Sequence, residues 1–282
     1  MDLSPIDSSA AGYNGILLPK PVTDLPPNLI AEAANILKIS PADFQGIILS
    51  GLPLPVARTV TRAEADVVKS TLVELGFDVM VISDRESGLM EPASYLRAAE
   101  IAEAGITLKQ RGGGDGIWAS WDQIVLLVSG RLISRRVESS ERKGRRGKKE
   151  ILDATELFAD ELILDLYVDD RNENFRVAAN NFDFSCLNDM SMIAAENFSS
   201  LKNLIRKQAA NAECDDSYLT VRHALTSVWP SEQHTGSRGW RRDRPGKYSV
   251  EAVTQSSNEN QFTRYSRLRH YLMKTAKHKS QM

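Results

Sequence analysis

Cysteine is nearly absent. The chain of 282 residues has two, Cys186 and Cys214, too few for a disulfide framework and without metal-ligand spacing. Four histidines, His223, His234, His270 and His278, likewise lack a second ligand at metal spacing. Long apolar runs are missing too. Stretches such as Ile124–Val128 fall far short of the roughly 20 residues that span a bilayer, so no transmembrane segment is expected. Met1–Ala10 has neither the basic region nor the apolar core of a signal peptide. These absences together set the expectation of a cytoplasmic chain in a reducing compartment, with no metal and no cofactor.

Catalytic constellations are missing as well. Cys186 lies in Phe182-Asp183-Phe184-Ser185-Cys186, in a phase that points it into the core, where a thiol acts as a small hydrophobe. Cys214 stands beside Asp215 and Asp216, which disfavour the thiolate. His223, next to Arg222, reads as a helix-surface residue. Asp165 and Asp169 share a strand face with Tyr167, which reads as the solvent side of a half-buried strand. The loop Gly112-Gly113-Gly114-Asp115-Gly116 is followed by Ile117 and Trp118, where a phosphate cradle would carry lysine and a hydroxyl residue. Asn197-Phe198-Ser199 matches a glycosylation sequon, but within an expected helix. No acid, base and nucleophile assemble, and the chain is expected not to be an enzyme.

What is present is ordinary globular material, 42% hydrophobic and 26% charged, in a chain long enough for two domains. The fold class expected is α+β. The clearest unit runs from Leu54 to Asp84: a strand at Leu54–Val60, a helix at Arg62–Leu75 and a strand at Phe77–Ser83. Thr61 and Glu64 form a capping box, and Gly76 supplies a left-handed cap. Ala65, Val68, Leu72 and Leu75 recur on one helical face. Ahead of this unit come a short strand at Gly15–Pro19, a helix opened by Pro26 and Pro27, and a second helix capped by Ser40. The first domain, 13–84, is therefore β-α-α-β-α-β. Pro53 and Pro55 put the strand after them at a sheet edge.

A second, mostly antiparallel domain is expected over 92–212, closed by a long helix. Arg97–Lys109 is read as a hairpin turning at Glu103-Ala104-Gly105, with helix the alternative. Trp118, Trp121 and Ile124–Val128 read as a buried strand ending at a turn or bulge at Gly130. Glu161–Asp169 alternates apolar and polar residues, and Asn188 caps a helix carrying Ala194, Phe198, Leu201 and Ile205. A short helix over 213–230 and a basic tail over 231–282, partly disordered and partly helical, complete the chain. The tail's helix is placed at Asn260–Lys279, with Phe262, Tyr265, Leu268 and Leu272 against Arg264, Arg267, Lys274 and Lys277.

The element order of the first domain resembles the C-terminal domain of the bacterial ribosomal stalk protein and the ClpS adaptor fold. Ser40-Pro41-Ala42-Asp43-Phe44 and Thr61-Arg62-Ala63-Glu64-Ala65, ahead of the Gly76-closed helix, carry that likeness. It implies a bacterial, adaptor-like module that binds a protein partner. The stalk family's lysine-bearing first helix is reduced here to Lys38 beside Glu32. Strands closed by one long amphipathic helix, with a Trp-x-x-Ile strand between, resemble a pleckstrin-homology-type half-barrel. That likeness implies a domain that binds proteins or anionic headgroups through its loops.

Charge is unevenly placed. The net is −2, yet Met1–Glu86 carries 6 basic against 11 acidic residues, and Ser231–Met282 carries 11 against 4. Two segments concentrate the positive charge. The first is the loop 135–149, expected to be solvated and mobile, with Arg142, Lys143, Arg145, Arg146, Lys148 and Lys149 near its end. The second is Arg238, Arg241, Arg242, Arg244 and Lys247 around Trp240. Arginines interleaved with an aromatic grip single-stranded nucleic acid by phosphate contact and stacking. Three functional readings follow: a non-catalytic protein-interaction module, a protein that binds nucleic acid or another anionic surface through these two segments, or an enzyme whose site is assembled from residues distant in sequence.

Overall fold

The side chains that start and stop the helices set the frame of the N-terminal third. The computed structural model describes residues 10–20, 26–143, 149–169, 171–244 and 247–280, with backbone only at 27 and over 140–143, 149–152, 238–244, 247–251 and 279–280. Helix α1 (Pro27–Leu37) follows Pro26 and ends at Lys38, which takes a left-handed φ of 56°. Helix α2 (Pro41–Leu49) is capped by Ser40, whose Oγ accepts from the Asp43 amide at 3.0 Å. Helix α3 (Arg62–Glu74) starts at the expected Thr61/Glu64 capping box. These helices cover a three-stranded antiparallel sheet in the order β2 (Leu54–Thr59), β1 (Tyr13–Leu17), β3 (Val79–Ser83), with the proline-bearing β2 at an edge.

The core under this sheet extends beyond it. Ile16, Phe44, Ile47, Val68 and Leu72 belong to one buried cluster with Val221, Leu225 and Trp229 and with Phe262, Tyr265 and Leu268. Trp229 is fully buried, and its indole N–H donates to Asn14 Oδ1 at 3.0 Å. Asp84 adds a polar centre, accepting from the Gly12 amide, from Asn14 Nδ2 at 2.7 Å and from Arg58 Nη2 at 2.8 Å.

The remaining strands form one large curled sheet. Along it run β11 (Glu232–Arg244), β12 (Lys247–Ser257), β7 (Ile124–Lys143), β8 (Lys149–Val168), β9 (Asn174–Ala178), β4 (Ser94–Ala102), β5 (Gly105–Gln110) and β6 (Ile117–Ser120). Short β10 (Glu213–Asp215) lies parallel to β7. Most pairings are antiparallel, and β4 with β9 is parallel. The Arg97–Lys109 stretch is the hairpin β4–β5. Helix α4 (Ala194–Gln208) packs Phe198, Leu201 and Ile205 into the cluster on one face of this sheet. Helix α5 (Tyr218–Leu225) and helix α6 (Glu259–Ser280) belong to the other cluster.

Several sequence expectations are corrected. Residues 135–143 and 149 of the expected loop are instead strand, in the outer half of the β7–β8 hairpin, whose ladder runs from Ile124↔Val168 to Lys143↔Lys149; 144–148 lie outside the described residues. Charged residues are tolerated there because they pair: Arg131 with Asp160 at 3.1 Å, Arg135 with Glu156 at 2.5 Å and Arg136 with Glu138 at 2.8 Å. The stretch 231–257 of the expected tail forms the β11–β12 hairpin. Helix α6 is buried on every side from Gln261 to Leu268, including Arg264 and Arg267. Trp118 is half exposed, whereas Trp121 is buried. Helix α4 begins after Ile193 rather than at Asn188, and Asn197 bonds back to the Ser191 amide and carbonyl. Gly130 is neither turn nor bulge but a mid-strand residue of β7.

Candidate nucleic-acid interface

Strand pairing brings the two basic segments together. Strand β12 lies antiparallel to β7, from Ser257↔Ser134 outward to Val250↔Glu141. The β7–β8 hairpin therefore reaches its end at Lys143/Lys149 beside the end of the β11–β12 hairpin at Arg244/Lys247. Helix α6 starts directly after β12, at the level of Ser134. From there to Lys143 the strands continue for nine residues, about 30 Å at the rise of a β-strand. Over Asp153–Asp160 every residue of β8 is exposed, so both faces of this outer part meet solvent. The outcome is a four-stranded arm, ordered β11-β12-β7-β8, that projects from the body of the molecule.

The arm ends in positive charge. Segments 142–149 and 238–247 hold 11 Lys+Arg against one acid, Asp243. Since the whole chain carries −2, removing that +10 leaves −12 on the rest. Arg142, Lys143, Lys149, Arg238, Arg241, Arg242, Arg244 and Lys247 stand on the described strands, as does Trp240 opposite Val250. Arg145, Arg146 and Lys148 lie outside the described residues. Glu141, Glu150 and Glu251 stand immediately inside the tip, so positive charge dominates only at the end itself. Hairpin axes two strands apart are separated by about 10 Å.

At the root of the arm a cleft of about 360 Å³ opens on the concave face of the large sheet. Two of its three carboxylates are engaged. Glu259 accepts from the Tyr95 phenol at 2.5 Å and from Arg176, and Glu161 accepts from the Asn180 amide at 2.8 Å. Burial pushes the Tyr95 phenol up to about 12, which keeps it a donor. Behind it, Arg176 and Asp165 form a fully buried pair, Nε to Oδ1 at 2.7 Å, joined by Asn174 and Thr263. Asp165 and Tyr167 are thus interior residues, correcting their reading as a solvent face: α6 covers that side, and Tyr167 bonds Ser266 at 2.9 Å. Glu232, the remaining acid of the lining, stands 3.5 Å from His234 Nε2, and the engaged Glu259 and Glu161 brace sheet and helix. Burial raises the thiols of Cys186 and Cys214 above the ordinary cysteine value, consistent with inert cysteines.

Sequence reasoning found both basic segments and missed their adjacency. The missed signal is Asn258, between β12 and α6, whose side chain bonds the Ile133 amide at 2.7 Å and the Arg131 carbonyl at 3.0 Å, fixing β12 onto β7. Helices and strands together make this an α+β protein. Comparison with protein-family models, curated proteins and solved structures finds no match. Among the described residues no helix is long and apolar enough to cross a membrane, and no group of three or more potential ligands could hold a metal ion.

Proposed function

We propose that this protein binds nucleic acid, single-stranded by preference, through the end of its β-arm. The observation that carries the reading is the β12–β7 register, which places two arginine-rich hairpin ends side by side. Seven of the 11 cations in the two segments are arginines, whose fork geometry suits phosphate and stacks on bases. Trp240, among them, adds a stacking surface that a base-paired duplex offers less readily. Fluorescence anisotropy with single-stranded and duplex probes tests this. The triple change Arg241→Gln, Arg242→Gln, Arg244→Gln should weaken single-strand binding at least about tenfold, and Trp240→Ala should weaken single strands more than duplex. Equal binding by wild type and the triple variant, or capture of anionic vesicles but not of either probe, would overturn the proposal.

A second reading, an adaptor for a protein partner, is favoured by a different feature of the arm. Among the described residues, β8 pairs only with β7 from Lys149 to Leu162, which leaves its outer edge open and exposes Leu157 and Phe158. An open edge with apolar side chains is suited to strand addition by a partner. In that case Phe158→Ser would abolish capture of the partner while leaving nucleic-acid affinity unchanged.

A further inference from the structure

A second cleft is lined by three cations, Arg85, Arg267 and Lys274, and three carboxylates, Glu86, Glu91 and Glu173. It has a volume of about 640 Å³, within the range of small-molecule sites, and is walled by the turn segment 85–92, by Asn172 and Glu173, and by one face of α6. Arg267 is 5% exposed. Its guanidinium donates only to carbonyls: Glu91 at 2.7 Å, Pro92 at 3.0 Å and Asn172 at 3.0 Å. Two of its five N–H groups remain for a ligand. Lys274, two turns along the same face, likewise meets only the Arg171 carbonyl and Asn172 Oδ1, at 3.4 and 3.1 Å. The exposed Arg85 side chain makes no hydrogen bond or ion pair among the described residues, while its carbonyl accepts from the Gly88 amide at 3.3 Å. His270, 6% exposed and stacked on Tyr167 at 4.2 Å, lines the same wall, and its Nε2 has no partner. Of the carboxylates, Glu173 is engaged by Ser94 and Arg171, and Glu86 and Glu91 stand exposed at the rim.

We propose that this cleft binds a small oxyanion, the phosphate or carboxylate group of a metabolite, on Arg85, Arg267 and Lys274. A buried guanidinium hydrogen-bonded only to carbonyls, with the charges of Asp165 and Glu91 acting on it from outside hydrogen-bond contact, keeps part of its field, and the low local dielectric strengthens its pull on an incoming anion. Three backbone carbonyls hold that guanidinium in place beforehand, so little ordering is lost on binding. The rim carboxylates Glu86 and Glu91 repel a long polyanion, which separates this cleft from the end of the arm and makes the ligand a single small molecule. The inference is independent of nucleic-acid binding.

Titration calorimetry of the full chain against inorganic phosphate and, separately, against succinate, at fixed ionic strength set with chloride, distinguishes the two forms of oxyanion. At least one should saturate a single site, and amide shifts in nuclear magnetic resonance spectra should fall on 85–92 and 267–278. Lys274→Met should weaken that binding about tenfold, as loss of one charge-assisted contact does. Arg85→Met should act in the same direction and serves if the lysine variant fails to fold. Glu86→Gln should tighten it, and the arm-end arginine variant should leave it unchanged. Absence of saturable binding by both anions, or shifts confined to the arm, would overturn the proposal.

Discussion

At the scale of single residues, the molecule is held by polar side chains placed where water is absent. Asp165 and Arg176 are both fully buried and satisfy each other together with Asn174, Thr263 and Glu259. Removing one partner of such a pair leaves an uncompensated interior charge, which is why these residues belong to architecture rather than to exchangeable surface. His270 gives the most testable case. Burial, then the nearby charges of Lys274 and Arg267, push its imidazole down to about 4 from its ordinary 6.5. The folded state thus disfavours the proton that the unfolded chain takes up near 6.5. The corresponding stability is fully present above that pH and is lost as pH falls from about 6.5 to about 4, by up to roughly 3 kcal/mol. Melting temperatures of the wild type and of His270→Phe, which keeps a ring against Tyr167, should therefore diverge over that window. The variant should be the less acid-sensitive of the two. Parallel pH profiles would show that another group carries the effect.

At the scale of elements, α6 and β7 depend on each other. A Cβ built on Gly130 would lie 2.4 Å from Phe262 Cε2 and 3.0 Å from Tyr218 Cδ1, and Phe262 is fully buried, so it has nowhere to retreat. Gly130→Ala should cost about 1–3 kcal/mol, read as a lower midpoint in urea denaturation with the slope unchanged. The helices of the first third were legible in the sequence because their signals are local: Pro26, Ser40, and Thr61 with Glu64 each act within a few residues. Strands 135–143 and 232–257 were not, because charge and serine suppress the apolar alternation that marks a strand, and only the neighbouring ladder makes them strands. Helix α6 was legible as a helix but not as a buried one. Its arginines are typical of a solvated face, and their burial depends on carbonyls of Glu91, Pro92 and Asn172, far away in the chain. The candidate interface divides in the same way: its residues were visible as composition, while their meeting follows from pairing between β12 and β7.

At the scale of the whole molecule, charge is separated between segments 142–149 and 238–247, with +10, and the rest of the chain, with −12. On the proposed reading, that separation would steer an anionic polymer to the arm and away from the body. Strand β12 and helix α6 are part of the fold rather than an appendage, since β12 joins the sheet and α6 places Phe262, Tyr265 and Leu268 in the buried cluster that also holds the core of the first third. Truncation there would therefore unfold the protein before it could report on binding, and side-chain replacement on the arm is the cleaner probe. The central claim is that the paired hairpin ends act as one phosphate-binding surface. Its most direct test is the salt dependence of single-strand affinity, compared between the wild type and the variant Arg241→Gln, Arg242→Gln, Arg244→Gln. With about five phosphates engaged, log Kobs should fall against log salt with a slope of about −3 to −4, and the variant's slope should be shallower by about 2. A slope near zero, or the same slope in both proteins, would contradict the account.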